Sequence, residues 1–413
     1  MPDPAPPYLP RLAERHLAAA ADVQPVVVVM GARQTGKSTL VRNHPRFGGY
    51  EYLTLDNVET REQAATDPAG LLARAPALVL DEVQRAPELV LAVKEAVDRQ
   101  PRRTPGRFVL TGSANLLEMR QVSDTLAGRA SYTTLWPLTR REQLGFGEAG
   151  AWSALLDEDV SRWRAVLDDQ SAPADEWRDA VRRSAYPVPA LELPTLDAQA
   201  LWLDGYLDTY VDRDVTELTA IARPLDLRRL MRYVCTNVGQ VEHQAEWGAS
   251  AGMTRSTVSR YLDLLEVSYL LVRIPAFAVN RTKRLTRSPK VFWSDTALAM
   301  QLEGVTEPTG FHFENLVLAD LVAWSWSQPR RPSVMHWRTV DRVEVDFVVE
   351  MSDGRLLPIE VKSDARPGPR DAAGLRVFLD EYPATVGALL LHGGNDTYQL
   401  GERIVATPWW RVL

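Results

Sequence analysis

The sequence predicts an α/β protein: a parallel sheet core first, a helical middle, and a second α/β domain last. Three observations predict it. Short apolar runs alternate with helix-spaced segments from PVVVVM (25–30) to RFVLTGS (107–113), the pattern of strands buried on both faces and joined by helices. The first run leads directly into a glycine-bounded loop, GARQTGKS, and then into an amphipathic segment. Beyond residue 311 a long helical stretch, FHFENLVLADLVAWSW, gives way to the strand-like runs VMHWRTV, VEVDFVVEM, LLPIEVKS and VGALLLHG.

PVVVVM is strand-sized, and nothing in the chain approaches the uninterrupted apolar length of a membrane-spanning helix. The loop after it, Gly31-Ala32-Arg33-Gln34-Thr35-Gly36-Lys37-Ser38, matches G-x-x-x-x-G-K-[ST] in full. With Thr39 it forms the expected nucleotide-binding stretch. Glycines let the backbone wrap phosphates, its N–H groups donate to their oxygens, and the following helix N-terminus adds a favourable dipole. Lys37 is expected to meet the β and γ phosphates of ATP, and Ser38 to ligate Mg²⁺.

GYEYLTLDN (49–57) reads as the second strand and ALVLDEV (77–83) as the third. Asp81 emerges at the end of that third strand, placed to hold Mg²⁺, and Glu82 is placed to polarise the attacking water. ELVLAVKEAVDRQ (88–100) has helical spacing, and the fourth strand ends in Thr111-Gly112-Ser113, where Ser113 is the candidate sensor of the γ-phosphate. Among Arg129, Arg140 and Arg141, Arg129 is the candidate to stabilise a neighbouring subunit's transition state, which would make the chain a homo-oligomer.

After LWPLTRRE (135–142) the pattern turns helical. Residues 146–180 are polar, acidic and rich in tryptophan, as for a helical lid, and 195–236 continue in helices. Residues 244–274 suggest helix, turn, helix and strand, with Thr254 or Ser256 capping the second helix. QPRRP (328–332) is a loop inside the last domain.

These elements together resemble a prokaryotic family whose members join an AAA-type P-loop ATPase core to a C-terminal domain of unknown function. The resemblance rests on VVMGARQTGKSTLV, LVLDEVQRAPEL, FVLTGSANLL, AGRASYTTLWPLTRRE, YLDTYVDRDV, SPKVFWSDTALA, FENLVLADL, VEVDFVVE and IEVKS, in that order, and covers nearly the whole chain. It implies ATP binding and hydrolysis, a winged-helix-like middle and a nuclease-like last domain, and it implies no substrate. SAYPVP (184–189) departs from the family, which commonly has a glycine pair before Tyr-Pro. YLDTYVDRDV carries Asp208, Tyr210, Arg213 and Asp214 on one helix, either an interdomain ion-pair face or a route of communication between halves.

MTRSTVSRYLDLLE fits a recognition helix, with Thr254, Arg255, Ser256, Ser259 and Arg260 outward and Val258, Leu262 and Leu265 inward. The same module serves elsewhere in protein interactions, so DNA and protein both stay open as partners, with DNA favoured. In the last domain the order of residues matches restriction-endonuclease-like nucleases: a helix glutamate (Glu314), a strand aspartate (Asp346), then E-x-K (Glu360, Lys362). The carboxylates would collect Mg²⁺ and the lysine would orient water. A surface ion pair is the plainer reading of Glu360 and Lys362 taken alone. Asp353-Gly354 marks a hairpin turn between Asp346 and Glu360, and His336 and Arg338 lie on the preceding strand.

The bulk numbers are ordinary: 413 residues, 45% hydrophobic, 24% charged, which suits two or three domains. The net charge of −7 gives no support for non-specific nucleic-acid binding. Locally, Arg273, Arg281, Lys283, Arg284, Arg287 and Lys290 fall in a stretch without acids, either a phosphate-facing patch or a solubilising loop. MPDPAPPYLP has no basic or apolar leader region, and the single cysteine, Cys235, forms no intramolecular disulfide, so a cytoplasmic protein is expected. The expected boundaries are 1–145 for the ATPase core, 146–215 for the lid or linker, 216–300 for the winged-helix-like domain and 301–413 for the nuclease-like domain. The expected function is ATP hydrolysis coupled to action on DNA through a Mg²⁺-dependent nuclease-like domain. The alternative is a nucleotide-switched regulator with an inactive nuclease fold.

Overall fold

A computed structural model describes residues 8–100, 103–113, 126–170, 172–210, 224–280, 282, 284 and 287–413. The chain divides into two units, Met1–Pro137 with Val267–Tyr269, and Leu138–Glu266 with Leu270–Leu413. Arg213, Asp214, Arg281 and Lys283 lie outside the described residues.

The first unit is built on a parallel sheet in the order β2-β3-β4-β1-β5. Its strands are β1 (Val26–Met30), β2 (Glu51–Thr54), β3 (Leu78–Asp81), β4 (Phe108–Gly112) and β5 (Ala130–Thr134). β1 is central and buried at every residue. A run of β-branched valines suits such a strand because both its faces are covered. Val27 and Val29 pack with Leu17 and Ala21 of α1 (Ala13–Val23) and with Leu40 and Val41 of α2 (Lys37–Asn43). The alternate side chains Val26, Val28, Leu80 and Leu110 are equally buried on the opposite face. Helices α3 (Val58–Thr66), α4 (Pro68–Leu72) and α5 (Glu88–Asp98) complete the described helices of the unit, with α5 burying Leu89, Val93 and Val97.

The second unit contains the segment expected as a lid. Helices α6 (Arg140–Gln143), α7 (Trp152–Asp157), α8 (Trp163–Asp168) and α9 (Trp177–Arg182) are short, and the tryptophans explain where they go. Trp152, Trp163 and Trp177 are fully buried, which requires a large apolar surface that such short helices cannot supply alone. Within the unit Trp152 Nε1 donates to Asp320 Oδ1 at 2.6 Å, Trp177 stacks on Phe313 at 5.0 Å, and Gly387 leaves the space that the Trp163 ring fills. Burial pushes the Asp320 carboxyl up to about 7, although the Trp152 hydrogen bond opposes the shift. These helices therefore fold onto the C-terminal elements of the chain.

α10 (Pro187–Glu192), α11 (Leu196–Thr209) and α12 (Pro224–Cys235) follow. Next come α13 (Gln244–Ala251) and α14 (Arg255–Val267), then the antiparallel pair β6 (Leu271–Ile274) and β7 (Lys290–Trp293). Gly252, at φ +71°, ends α13. Of the two expected caps it is Thr254 that accepts from the Thr257 N–H, at 3.2 Å. Cys235 is buried, and burial raises its thiol pKa well above the usual value.

A six-stranded sheet closes the chain, in the order β12-β13-β11-β10-β9-β8. Its strands are β8 (Ser333–Arg338), β9 (Glu344–Glu350), β10 (Leu356–Lys362), β11 (Ala388–His392), β12 (Tyr398–Gly401) and β13 (Ile404–Pro408). β10, β11 and β13 run parallel, while β8, β9 and β10 form an antiparallel meander. Asp353-Gly354 turns the β9–β10 hairpin, with Gly354 at φ +89°. Helices α15 (Thr296–Glu303), α16 (Gly310–Ser327) and α17 (Ala373–Glu381) belong to this part, and α16 packs against β7, β8 and β10. No described helix is long and apolar enough to cross a membrane.

Candidate functional site

The register of the first sheet gathers the chemistry at one edge. Met30 pairs with Gly112, Leu80 with Leu110, and Thr54 with Asp81. The residues that follow β1, β3 and β4 therefore emerge together, the position at which open parallel sheets present ligand sites. The loop from Gly31 to Gly36 takes left-handed backbone at Gly31 (φ +147°), Gln34 (φ 64°) and Gly36 (φ 90°). Gly31 has a second constraint, since a Cβ there would lie 2.2 Å from the Leu135 carbonyl oxygen. Thr35 is buried and donates to the Ala32 carbonyl at 2.9 Å. Arg33 is half-buried, while Gln34 and Thr39 are exposed.

Lys37 is buried and folds back along the loop, its Nζ donating to Gly31 O at 3.0 Å and Ala32 O at 2.7 Å. Burial lowers its pKa to about 8, with Glu82 and Asp81 opposing the shift and Arg33 adding to it. Ser38 Oγ donates to the Asp81 carboxylate at 2.9 and 3.0 Å. The same carboxylate accepts from the hydroxyls of Thr111 and Tyr52. Burial and the Asp81 contact raise the Tyr52 phenol pKa, and the Arg42 guanidinium lies 4.0 Å from its ring centroid. Glu82 stands in left-handed backbone (φ 59°), and its N–H donates to Thr111 Oγ1 at 3.2 Å. Gln84 bridges Glu82 and Ser113, bonding the former and donating to Ser113 Oγ at 3.1 Å.

Ser38, Asp81, Glu82 and Ser113 thus lie in one hydrogen-bonded network through Thr111 and Gln84, and Lys37 feels the charges of Asp81 and Glu82 beside it. Sequence reasoning missed two of its members, Tyr52 and Gln84, and also Arg11 behind the loop. Arg11 donates to Thr35 O at 2.9 Å and to Trp136 O at 2.7 Å, bracing the loop from behind. No motif marks these three, whose positions depend on partners brought close by folding. Arg129 is not part of the network. It forms a two-pronged pair with Asp98, at 2.6 and 2.9 Å. Arg140 pairs with Asp175 at 2.6 Å, and Arg141 is buried. The hydroxyl and carboxylate oxygens of Ser38 and Asp81 suit a hard cation such as Mg²⁺, and the left-handed loop with its lysine suits a polyphosphate.

The second unit holds another cluster. Glu314 lies in the first turns of α16, Asp346 on β9, and Glu360 and Lys362 on one face of β10. Lys362 Nζ donates to Glu360 Oε1 at 2.6 Å, and Asp346 Oδ2 accepts from the Val361 N–H at 2.9 Å. Glu314 Oε2 and Glu360 Oε2 are buried without a hydrogen-bond partner among the described residues. Burial, and then the neighbouring Asp346, raises Glu314 well above the usual carboxylate range and Glu360 to about 8. Burial lowers the Lys362 pKa, but Glu360 and Asp346 outweigh it and the net shift is upward. The oxygen donors suit Mg²⁺ in kind. Yet among the described residues no three His, Cys, Asp or Glu side chains are grouped as a metal site requires.

Lys290 on β7 belongs to this cluster and was not singled out as a site residue. It is buried, with Nζ 3.8 Å from Asp346 Oδ1. His336 is buried beside it, its Nε2 3.3 Å from Ser288 O, and burial followed by the Lys290 charge pushes it down to about 4. Arg338 lies 3.9 Å from Glu344.

Of the basic stretch, Arg273 pairs with Asp263 and Glu266, Arg284 with Glu350, and Lys290 with Asp346. Much of that positive charge is answered internally. At the cap of α14 Thr254 is exposed, and on the helix Arg255, Ser256 and Arg260 are exposed, whereas Val258, Leu262 and Leu265 are buried. Asp208 is paired to Arg228 at 2.8 Å. In SAYPVP, Ser184 Oγ and the Ala185 N–H both donate to Asp295.

Residues 23–144 match the family model described as AAA domain. Residues 174–309 and 309–412 each match a model described as a domain of unknown function, DUF8612 and DUF4143 respectively. An uncharacterized protein of Mycobacterium tuberculosis is 27% identical over 412 residues, covering 98% of this chain and 84% of its own length. An uncharacterized protein of Haemophilus influenzae is 21% identical over 387 residues, covering 87% of this chain and 88% of its own. Among solved structures, a Walker-type ATPase of Pyrococcus abyssi aligns over 72% of this chain and 99% of that one, at 15% identity and a TM-score of 0.45. The RuvB Holliday junction branch migration motor of Thermotoga maritima aligns over 67% and 92%, at 18% identity and a TM-score of 0.27. The N-terminal part of the chain is thus similar to AAA-type P-loop ATPase domains.

Proposed function

We propose that the protein hydrolyses ATP at the edge of its first sheet and that its second unit is a nucleic-acid-directed, nuclease-like module. The observation that carries the ATPase reading is the network joining Ser38, Asp81, Glu82 and Ser113, with the buried Lys37 in the field of Asp81 and Glu82. Backbone N–H groups of the loop would hold the phosphates, and Lys37 would exchange its two carbonyl partners for phosphate oxygens. Ser38 and Asp81 would hold Mg²⁺, which when bound neutralises phosphate charge. Glu82 would take the proton of the attacking water, and Gln84 keeps its carboxylate turned toward Ser113. Arg129 would serve a neighbouring copy only by giving up Asp98.

Glu82→Gln is expected to bind ATP with wild-type affinity and to lose turnover by about a hundredfold or more. Unchanged phosphate release in this variant would remove Glu82 from the chemistry.

The second part of the reading is supported by the convergence of Glu314, Asp346, Glu360 and Lys362 on adjacent elements. The carboxylates would hold Mg²⁺, which supplies Lewis acidity at a phosphodiester. Lys362, already tied to Glu360, would orient water. α13, α14 and the β6–β7 pair form the winged-helix-like part of this proposal, and the exposed Thr254, Arg255, Ser256 and Arg260 form its DNA-facing edge. We place the functional boundaries at 1–145, 146–215, 216–300 and 301–413. DNA cleavage in Mg²⁺ or Mn²⁺ that is lost in both Asp346→Ala and Lys362→Ala is the expected result. Cleavage unaffected by either substitution, or none across DNA and RNA substrates, leaves the regulator with an inactive nuclease fold.

A further inference from the structure

SPKVFWSDTALA stood out in the sequence without a role. Its lysine enters the carboxylate cluster of the second unit. Lys290 lies on β7 and not on the strands that carry Asp346, Glu360 and Lys362.

Its position is fixed from several sides. Val241 bridges to Lys290, Glu242 N–H donates to Pro289 O at 2.8 Å, and Val291 N–H donates to Gln240 O at 3.1 Å. One turn of α16 locks the strand to the helix that carries Glu314. Asn315 accepts from the Trp293 N–H at 2.7 Å and donates to the Trp293 carbonyl at 2.8 Å. Lys290 is buried, its Nζ lies 3.8 Å from Asp346 Oδ1, and it feels the charges of Asp346, Glu314, Glu344 and Glu360. That distance is too long for a strong hydrogen bond, so the ammonium acts on the carboxylates through its charge.

The charge count gives this arrangement its meaning. Glu314, Asp346 and Glu360 supply three buried carboxylates, and Lys290 and Lys362 supply two ammonium groups, while Glu344, which also acts on Lys290, is exposed and lies 3.9 Å from Arg338. Lys290 and Lys362 thus place two positive charges beside these carboxylates, whatever the protonation of Glu314 and Glu360. A divalent cation would meet both charges in a buried setting, which is costly. Without Lys290 it would meet one. The partnerless oxygens of Glu314 and Glu360 are left over as acceptors that the ammonium does not reach.

We propose that Lys290 is a resident cation of the carboxylate cluster, which fills the place of a divalent metal ion and competes with it. This rests on the reading of Glu314, Asp346 and Glu360 as metal donors. It also accounts for a cluster with the right donors but without the grouping of a metal site. Metal entry then requires Lys290 to withdraw, and the β7 backbone that carries it belongs to the winged-helix-like part.

The test is Mn²⁺ binding by the full chain, followed by electron paramagnetic resonance and by thermal melting. Lys290→Met is expected to bind Mn²⁺ at least about tenfold more tightly than wild type, because a nearby positive charge is gone. Its melting temperature should rise more on adding Mn²⁺ than that of wild type. Lys290→Arg, which keeps the charge, should match wild type. Adding Asp346→Asn to Lys290→Met should abolish the gain and separate this site from Ser38 and Asp81. Equal or weaker Mn²⁺ binding by Lys290→Met, with wild type binding through Asp346, overturns the competition and leaves the metal reading standing. No Asp346-dependent binding in either protein overturns both. Should Lys290→Met fail to fold in metal-free buffer, millimolar Mn²⁺ is expected to restore folding, and failure to do so overturns the proposal.

Discussion

Replacing Lys37 with alanine is expected to lower ATP turnover by at least about a hundredfold, since a cation preorganised for developing phosphate charge is lost from a water-poor site. The structure adds a second consequence. Lys37 donates to two loop carbonyls, Gly31 O and Ala32 O, so the alanine variant loses the loop's internal brace as well as its charge. Binding of ATP should weaken together with turnover, and fluorescent-nucleotide titration beside a phosphate-release assay would read both. Unaltered turnover would remove the loop from the proposed chemistry.

The same residue gives a pH dependence. Burial brings Lys37 down to about 8 from 10.5. Between those values the unfolded chain holds more protons than the folded one, so this residue makes stability rise with pH across that window. Nucleotide affinity runs the other way, because phosphate needs the ammonium. ATP affinity of the wild-type chain should fall about tenfold from roughly pH 7 to 9.

Asp295→Ala is expected to destabilise the second unit by about 3 kcal/mol or more, because it strands several buried donors at once. Asp295 is fully buried at the start of α15. It accepts from the Leu298 N–H at 2.7 Å, the Ala185 N–H at 2.5 Å and Ser184 Oγ at 3.0 Å. The first bond caps a helix, and the other two tie down the SAYPVP turn, where the family resemblance breaks. Asp295→Asn should fall between wild type and alanine. Its amide oxygen can serve the cap, but its NH₂ would then face the donors of residues 184 and 185. Urea unfolding of the three proteins would order them, and an alanine variant within about 0.5 kcal/mol of wild type would contradict this account.

The linear motifs were legible in the sequence because their chemistry is local. Gly31 to Ser38 is one loop, and Asp81-Glu82 ends one strand. Sheet register alone brings them together, and alternating apolar runs encode that register. The order Glu314, Asp346, Glu360, Lys362 was legible for a similar reason, since helix and strand periodicity fix which face each residue takes. Tyr52, Gln84, Arg11 and Lys290 were not legible. Each acts on a partner from another element, and nothing in the neighbouring residues of a buried lysine says which carboxylates it will meet. The tryptophans of 146–180 were visible, but a tryptophan's demand for burial does not name the surface that satisfies it. Arg129 was a conspicuous arginine in the sequence, but nothing around it announces the pair that it forms with Asp98.

The central strand β1 has a consequence for how the protein is made. Its partners are β4 on one side and β5 on the other, and both are encoded well downstream. The loop that follows it fits only against Leu135, whose N–H bonds Met30 O at 2.7 Å and whose carbonyl crowds Gly31. Pairings between distant segments form slowly. A nascent chain leaving the ribosome therefore carries its phosphate-loop sequence early, but without the wall that shapes it. The loop can take its described shape only once β5 and Leu135 have emerged and docked, so this early part of the sheet is among its last to be completed.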